Sequence, residues 1–463
     1  MFRSIVVILS LSLFFSAPVV AETGDYNFWQ TLRNLVSPRQ ADNPVTFEQT
    51  QGDYPLLTNP SGFEDDFRPG RYRGWQKVDL HPSTGAVCGN GTPYKFFVNR
   101  VAQSSNTLVY FEGGGACWDF ETCSGQAGIL GARNPDGIPD NYLGLFTPAT
   151  SLVSPFVFRL NPWNRIKTQD WNLVYVPYCT GDIYFGDSVS VYEDPKGESD
   201  PLVWHHNGLR NGRAVTAWLK NNLEQPGQLL MTGCSAGGAG AMTNYHPMRR
   251  DIAARKSFLL NDSGPIHETV DPADPSHQLG QIIFPAWGLN DGDESPLNYL
   301  GAGLPAMDPN DPSTIYRGLS QQYHADRMGM TYFWDDFNYS RYSYERFFED
   351  IFNEQNEDVR RDKILDLWHI DTETTLANLS QLDNFGYYMP RFRDLNDSHC
   401  TTIVQFQNAD IQEAGLELDD FVDNILDGSG DVMKASESDT EADYNKGFNL
   451  LYFVLRNLFG IGN

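Results

Sequence analysis

The sequence is poor in basic residues and lacks the common metal-binding motifs. It has 33 Lys and Arg residues against 60 Asp and Glu residues, a formal net charge of -27 at pH 7. Nucleic acids and anionic membranes are bound through basic surfaces, so this balance argues against both as partners. Neither C-x-x-C nor H-E-x-x-H occurs. We therefore expect no transition-metal site and no cofactor.

Long apolar runs are also scarce. The longest, residues 5–15, follows Arg3 and precedes the small residues of positions 17–21, which is the order of a secretory signal. This run is shorter than the roughly 20 residues that a membrane-spanning helix needs. The sequence therefore predicts a signal peptide over residues 1–21 and a secreted or periplasmic protein without membrane insertion.

The cysteine count and the local composition predict the organisation of the exported chain. Six cysteines are an even number, so disulfides are expected, and Cys117 with Cys123 is the expected local pair. Residues 22–75 are rich in Pro, Gly, Asn and Asp and predict an irregular N-terminal arm. A chain of this length could form two average domains or one elaborated domain, and residues 76–463 are expected to form a single domain.

Strand patterns alternate with helix patterns along this domain. Strands are predicted at residues 76–80, 94–98, 107–111, 172–176, 228–232, 256–260, 328–334 and 401–406, and helices at 207–222 and 345–352. Such alternation is typical of an α/β protein with a mostly parallel central sheet and helices on both faces. The stretch from about 265 to 320 predicts a long loop insertion.

The most informative motif is Gly233-Cys234-Ser235-Ala236-Gly237, which follows a short apolar strand. A strand that ends in G-x-S-x-G is typical of a nucleophile elbow, in which the serine lies on a strained turn between strand and helix. Taken alone the pentapeptide is a weak signal, because an idle glycine-rich turn has the same composition.

A second glycine-rich segment strengthens this interpretation. Gly113, Gly114 and Gly115 directly follow the strand predicted at 107–111. Enzymes that use the elbow take one oxyanion donor from such a loop and the other from the residue after the nucleophile. The expected oxyanion hole is therefore Gly114 or Gly115 together with Ala236.

A serine nucleophile needs a histidine base with a carboxylate behind it. In the chain order serine, acid, histidine, the base is either His369, within an apolar segment, or His399, in a polar loop before a predicted strand. We prefer His399. The candidates for the acid are Asp335, Asp336 and Asp262, each of which follows a predicted strand, and composition does not choose among them.

These motifs together resemble the pectin acetylesterases of plants, the animal carboxylesterase Notum and their bacterial relatives. The resemblance rests on residues 112–117, 178–182, 186–187, 233–238 and 398–400, with weaker matches at 88–91 and 262–264. It implies an α/β-hydrolase-like fold with Ser235 as nucleophile, His399 as base and Gly114, Gly115 and Ala236 as the oxyanion hole.

The resemblance also bears on the acid. The family carries an aromatic-Asp-x-x-Gln sequence after its strand, and residues 334–338 are similar to it with Asn338 in place of Gln. This implies Asp335 as the acid, keeps Asp336 as the alternative and demotes Asp262. Ala116 stands where relatives usually have Trp, a difference that bears on the shape of the acyl pocket.

The function expected from the resemblance is a secreted serine carboxylesterase. Its expected substrates are O-acyl esters, above all O-acetyl groups on a polysaccharide such as pectin, or small esters. One alternative is a fatty-acyl esterase of the Notum type. The other is a catalytically silent homologue that binds carbohydrate or lipid.

Overall fold

The computed structural model describes residues 67–127, 131–132, 134–143, 153–158, 166–267, 277–439 and 446. The predicted signal peptide and the predicted arm up to residue 66 lie outside these described residues. Within them, no helix combines the length and the apolar character that a membrane span requires.

The described residues form strands and helices. The strands are β1 (Trp75–Asp79), β2 (Lys95–Asn99), β3 (Thr107–Phe111), β4 (Asn172–Val176), β5 (Ser188–Tyr192), β6 (Leu202–His206), β7 (Gln228–Cys234), β8 (Lys256–Asp262), β9 (Arg327–Thr331), β10 (Phe385–Met389) and β11 (Lys434–Ser436). The helices are α1 (Phe120–Cys123), α2 (Gly208–Asn222), α3 (Ala236–Thr243), α4 (Tyr245–Ile252), α5 (His277–Ala286), α6 (Pro296–Gly303), α7 (Ile315–Gln322), α8 (Phe337–Tyr344), α9 (Glu349–Phe352), α10 (Glu357–Ser380) and α11 (Leu418–Asp427).

Nine strands form one sheet in the order β1-β2-β4-β3-β7-β8-β9-β10-β11. β2 pairs antiparallel with β1 and with β4, and every pairing from β4 across to β11 is parallel. β5 and β6 form a separate antiparallel hairpin. Because β3, β7, β8 and β9 are parallel neighbours, the loops after them meet at one edge of the sheet.

The sheet is covered on both faces, as its strand sequences require. Along β3, Val109 and Phe111 belong to one hydrophobic core, and Leu108 and Tyr110 belong to the other. Successive side chains of a strand point to opposite faces, so a continuous apolar strand is stable only between two layers. Helices α2, α3 and α10 contribute to the first core, and α11 contributes to the second.

Most predicted elements are confirmed. The hairpin at 76–98, the strands at 107–111 and 172–176, the elbow strand and the helix at 207–222 are present, the last with Asn207 as its N-cap residue. The strand predicted at 328–334 ends earlier, at Thr331, and the helix predicted at 345–352 is only the single turn α9. The stretch from about 265 to 320, expected to be a long loop, instead contains α5, α6 and the start of α7. Further elements that the sequence patterns did not predict include α8, α10, α11, β10 and the β5–β6 hairpin.

The strand predicted at 401–406 is wrong. The backbone N–H groups of Thr401 and Thr402 donate to the carboxylate of Asp262, each at 2.8 Å. The carbonyl oxygens of Thr401 and Gln405 accept from the buried guanidinium of Arg393. Side chains therefore satisfy the backbone groups that a sheet neighbour would have used. The segment is a loop held against the ends of β8 and β10.

Candidate active site

Ser235 lies on the turn between β7 and α3. Its φ and ψ angles are 61° and -128°, a conformation that few non-glycine residues adopt. Its backbone N–H donates to the carbonyl of Asp262 at 2.8 Å, which holds the turn to the next strand. The geometry is that of the predicted nucleophile elbow. Ala236 is the first residue of α3, where backbone N–H groups have no partner within the helix.

The glycine-rich loop after β3 packs directly on this turn. A Cβ atom at Gly113 would lie 2.6 Å from the carbonyl oxygen of Cys234 and 3.3 Å from Cβ of Ser235. Gly115 has a φ of +76°, and a Cβ there would lie 2.4 Å from the Tyr342 hydroxyl. Only glycine fits these positions, because a larger residue would push the loop away from the elbow.

A disulfide joins the elbow to the loop that carries the predicted base. Cys234 precedes Ser235, Cys400 follows His399, and the two cysteines are bonded with their Cα atoms 5.7 Å apart. The predicted local pair Cys117–Cys123 is also confirmed, and Cys88–Cys179 is a third disulfide. Ser235 and His399 lie 164 positions apart in the chain, but each is the sequence neighbour of one cysteine of this disulfide.

His399 contacts Asp336. Its Nδ1 lies 2.8 Å from Asp336 Oδ2 in a buried hydrogen bond. A carboxylate accepts hydrogen bonds only, so Nδ1 is the donor and Nε2 remains for another partner. The second oxygen of Asp336 accepts from the backbone N–H of Tyr339 at 2.9 Å, which makes Asp336 the N-cap residue of α8. Burial raises the pKa of Asp336, and the hydrogen bonds from His399 and Tyr339 oppose that rise.

The structure places Asp335 elsewhere, so the expectation of an Asp335–His399 pair has to be corrected. Asp335 Oδ1 lies 3.0 Å from Nε2 of His369 and 3.4 Å from Nε of Arg391. The main chain turns into α8 between the two aspartates, so that consecutive side chains point to different histidines. His369, the less favoured base, lies on α10 and pairs with Asp335 instead.

Asp262 contacts the histidine loop rather than the histidine itself. Its carboxylate accepts from the backbone N–H and the hydroxyl of both Thr401 and Thr402. The hydroxyl of Ser263 accepts from the N–H of Cys400 at 3.1 Å. These bonds tie the end of β8 to the segment after His399. Residues 262–264, the weak match in the sequence, therefore serve to hold the loop that carries His399.

One cavity of about 280 Å³ is lined by four of the six predicted site residues, but not by Ala236 or Asp335. Its lining includes Ser235 and His399, the three glycines of residues 113–115, and polar side chains such as Glu112 and Asn338. The predicted nucleophile, the predicted base and the predicted donor loop therefore face the same space. Asp336 lies behind His399, fully buried.

Two groups of cysteine and histidine side chains lie close enough together to suggest metal sites within the described residues. One is Cys117, Cys123 and His206, and the other is Cys234, His399 and Cys400. In each group the two sulfur atoms are bonded to one another. A disulfide sulfur is not the thiolate that binds zinc, so neither group offers a suitable set of ligands.

Sequence comparison places relatives of this chain among esterases. Residues 157–279 match the model of a family described as pectinacetylesterase. Palmitoleoyl-protein carboxylesterase notum1a of Danio rerio is 26% identical over 171 residues, which are 36% of this chain and 30% of the relative. Pectin acetylesterase 4 of Arabidopsis thaliana is 25% identical over 191 residues, which are 40% of this chain and 42% of the relative. The chain thus matches less than half the length of these relatives.

Structural comparison supports the fold. The crystal structure of the Wnt deacylase Notum from Drosophila aligns with a TM-score of 0.52 and 16% sequence identity, covering 81% of this chain and 100% of that one. The resemblance inferred from the motifs is confirmed: residues 157–279 match the pectinacetylesterase model, and the chain is similar to Notum and to pectin acetylesterases. The α/β-hydrolase-like fold class is likewise confirmed.

The disulfide between Cys234 and Cys400 should stabilise the protein more than the local one. It spans 166 positions, against 6 for Cys117–Cys123. Loop-closure entropy gives roughly 5 kcal/mol for the longer loop and roughly 2 kcal/mol for the shorter. We expect the Cys234→Ala/Cys400→Ala variant to unfold at a lower denaturant concentration than Cys117→Ala/Cys123→Ala. Equal midpoints, or the reverse order, would contradict this ranking.

Proposed function

We propose that this chain, which carries a pectinacetylesterase-family region on an α/β-hydrolase-like fold, is an exported serine carboxylesterase that hydrolyses O-acyl esters. The observation that carries the proposal is the hydrogen bond between His399 and the buried Asp336, with His399 and Ser235 lining one cavity. Export is supported by the three disulfides, which persist in oxidising compartments.

The proposed reaction is acyl transfer through Ser235. His399 takes the hydroxyl proton as the oxygen of Ser235 attacks the ester carbonyl, and then gives that proton to the departing alcohol. A water molecule, activated by the same imidazole, hydrolyses the acyl-enzyme. Asp336 holds Nδ1 of His399 and stabilises the imidazolium that forms in each step.

Negative charge develops on the carbonyl oxygen in both steps. We assign the backbone N–H groups of Gly114, Gly115 and Ala236 to the oxyanion hole. Gly114 and Gly115 line the cavity of Ser235, and Ala236 begins the helix that follows it. The first N–H groups of a helix carry partial positive charge, which favours an anion at that end.

The proposed substrate is an acylated polysaccharide such as acetylated pectin. This follows the family match and the name of the plant relative. The net charge of -27 disfavours a fully de-esterified polyanion, so acetylated and uncharged stretches are the better substrates. A second candidate, removal of a longer acyl chain, is favoured by the name of the Danio rerio relative.

Replacing Ser235 by Ala tests the proposal. We expect the variant to lose at least about 10³-fold in kcat/KM toward p-nitrophenyl acetate, because no acyl-enzyme can form without the hydroxyl. Its far-ultraviolet circular dichroism and its melting temperature should match those of the wild type. Turnover at the wild-type rate in this variant would refute the assignment. A wild type that binds acetylated pectin but hydrolyses no ester would favour the silent binding homologue.

The two adjacent aspartates provide a matched pair of variants. We expect Asp336→Asn to lower kcat on the order of 10³- to 10⁴-fold, because an amide next to Nδ1 favours the wrong tautomer of His399. Asp335→Asn should stay within a few-fold of the wild type, since it alters the pair with His369 instead. The measurement is steady-state hydrolysis of p-nitrophenyl acetate by both variants. A larger loss in Asp335→Asn would return the acid role to Asp335.

A further inference from the structure

A second cavity lies beside the proposed active site and differs from it in chemistry. It has a volume of about 130 Å³ and is lined mainly by apolar side chains. They include Phe185, Ile266, Ile283, Phe284 and Trp287. The cavity that holds Ser235 is lined instead by several polar groups, among them Glu112, Asn338 and Asn396. A hydrocarbon chain therefore gains more free energy in the second cavity than in the cavity of Ser235.

One helix separates the two cavities. Asn338 and Tyr342 of α8 line the cavity of Ser235, whereas Tyr339, Ser343 and Tyr344 line the apolar one. Positions three or four apart share a helix face, so the two sets are two faces of α8. The helix begins at Asp336, the N-cap residue that also contacts His399.

Tyr339 is the side chain at the boundary. Its ring lies 6.2 Å from the imidazole of His399, centroid to centroid, and on its other side it lines the apolar cavity. Its hydroxyl donates to the carbonyl oxygen of Pro265 at 3.1 Å, which fixes the ring across the gap between α8 and the end of β8. A second ring contact, with Trp368 at 5.8 Å, holds it from α10.

We propose that Tyr339 limits the acyl group of the substrate to short chains, by closing the cavity of Ser235 off from the apolar cavity behind it. This inference rests on the proposed esterase function and specifies its acyl specificity. An acetyl group fits in the cavity beside Ser235, whereas a chain of eight carbons would have to enter the space that the Tyr339 ring blocks. Removing the ring would join the two cavities and admit the chain.

The test is the chain-length profile of p-nitrophenyl esters from acetate to octanoate. The wild type should prefer acetate, and Tyr339→Ala should raise the octanoate-to-acetate ratio of kcat/KM by at least about tenfold. Each buried methylene contributes ~0.8 kcal/mol, or about fourfold, so two methylenes in the apolar cavity suffice. The ratio cancels any effect of the substitution on His399, because both esters use the same base.

Three further variants make the result specific. Tyr339→Phe keeps the ring and should keep the wild-type ratio. Tyr339→Leu removes the ring but retains apolar packing, so it should also raise the ratio. It replaces Tyr339→Ala as the test if that variant does not fold. Adding Ile283→Trp to Tyr339→Ala fills the apolar cavity, so it should abolish the gain with octanoate.

Two results would overturn the proposal. One is a wild type that hydrolyses octanoate as well as acetate, and the other is an unchanged ratio in the folded Tyr339→Ala and Tyr339→Leu variants. Either result would leave the esterase function intact. Failure of the wild type to hydrolyse any of the esters would instead refute the proposed function and the role of Tyr339 with it.

Discussion

The site depends on how two distant loops are held together at one edge of the sheet. The disulfide between Cys234 and Cys400 joins the residue before Ser235 to the residue after His399. Hydrogen bonds from Asp262 and Ser263 then fix the segment that follows His399. If the hydroxyl and the imidazole lay on separate flexible loops, bringing them together would cost conformational entropy. Because the disulfide and these hydrogen bonds order both loops, that entropy is already lost when the protein folds.

Asp336 contacts His399 from the N-cap position of a helix. One carboxylate oxygen of Asp336 caps α8 and the other accepts from His399, so the helix boundary sets the direction of the hydrogen bond to His399. The same helix separates the cavity of Ser235 from the more apolar cavity. The orientation of His399 and the separation of the two cavities therefore depend on one short element, α8.

The parts of the site that were predictable from the sequence are those in which local sequence dictates local backbone. The turn at Ser235 and the loop at Gly113 need glycine or small residues at fixed positions, and these are visible in the chain. The choice between Asp335 and Asp336 depended on where α8 begins, and its residues, rich in Tyr, Ser and Asn, are weak helix formers. The segment 401–406 has the sequence of a strand, but its backbone groups bond to two side chains, Asp262 from the distant end of β8 and the nearby buried Arg393, and no strand pattern reveals such partners.

The central claim is that His399 activates Ser235, and covalent labelling tests it most directly. A fluorophosphonate reacts with an activated serine, and peptide mass spectrometry locates the modified residue. The account predicts modification of Ser235 in the wild type and a rate at least about 10²-fold lower in a folded His399→Ala variant. Labelling at another residue, or an equal rate at Ser235 without the imidazole, would contradict it.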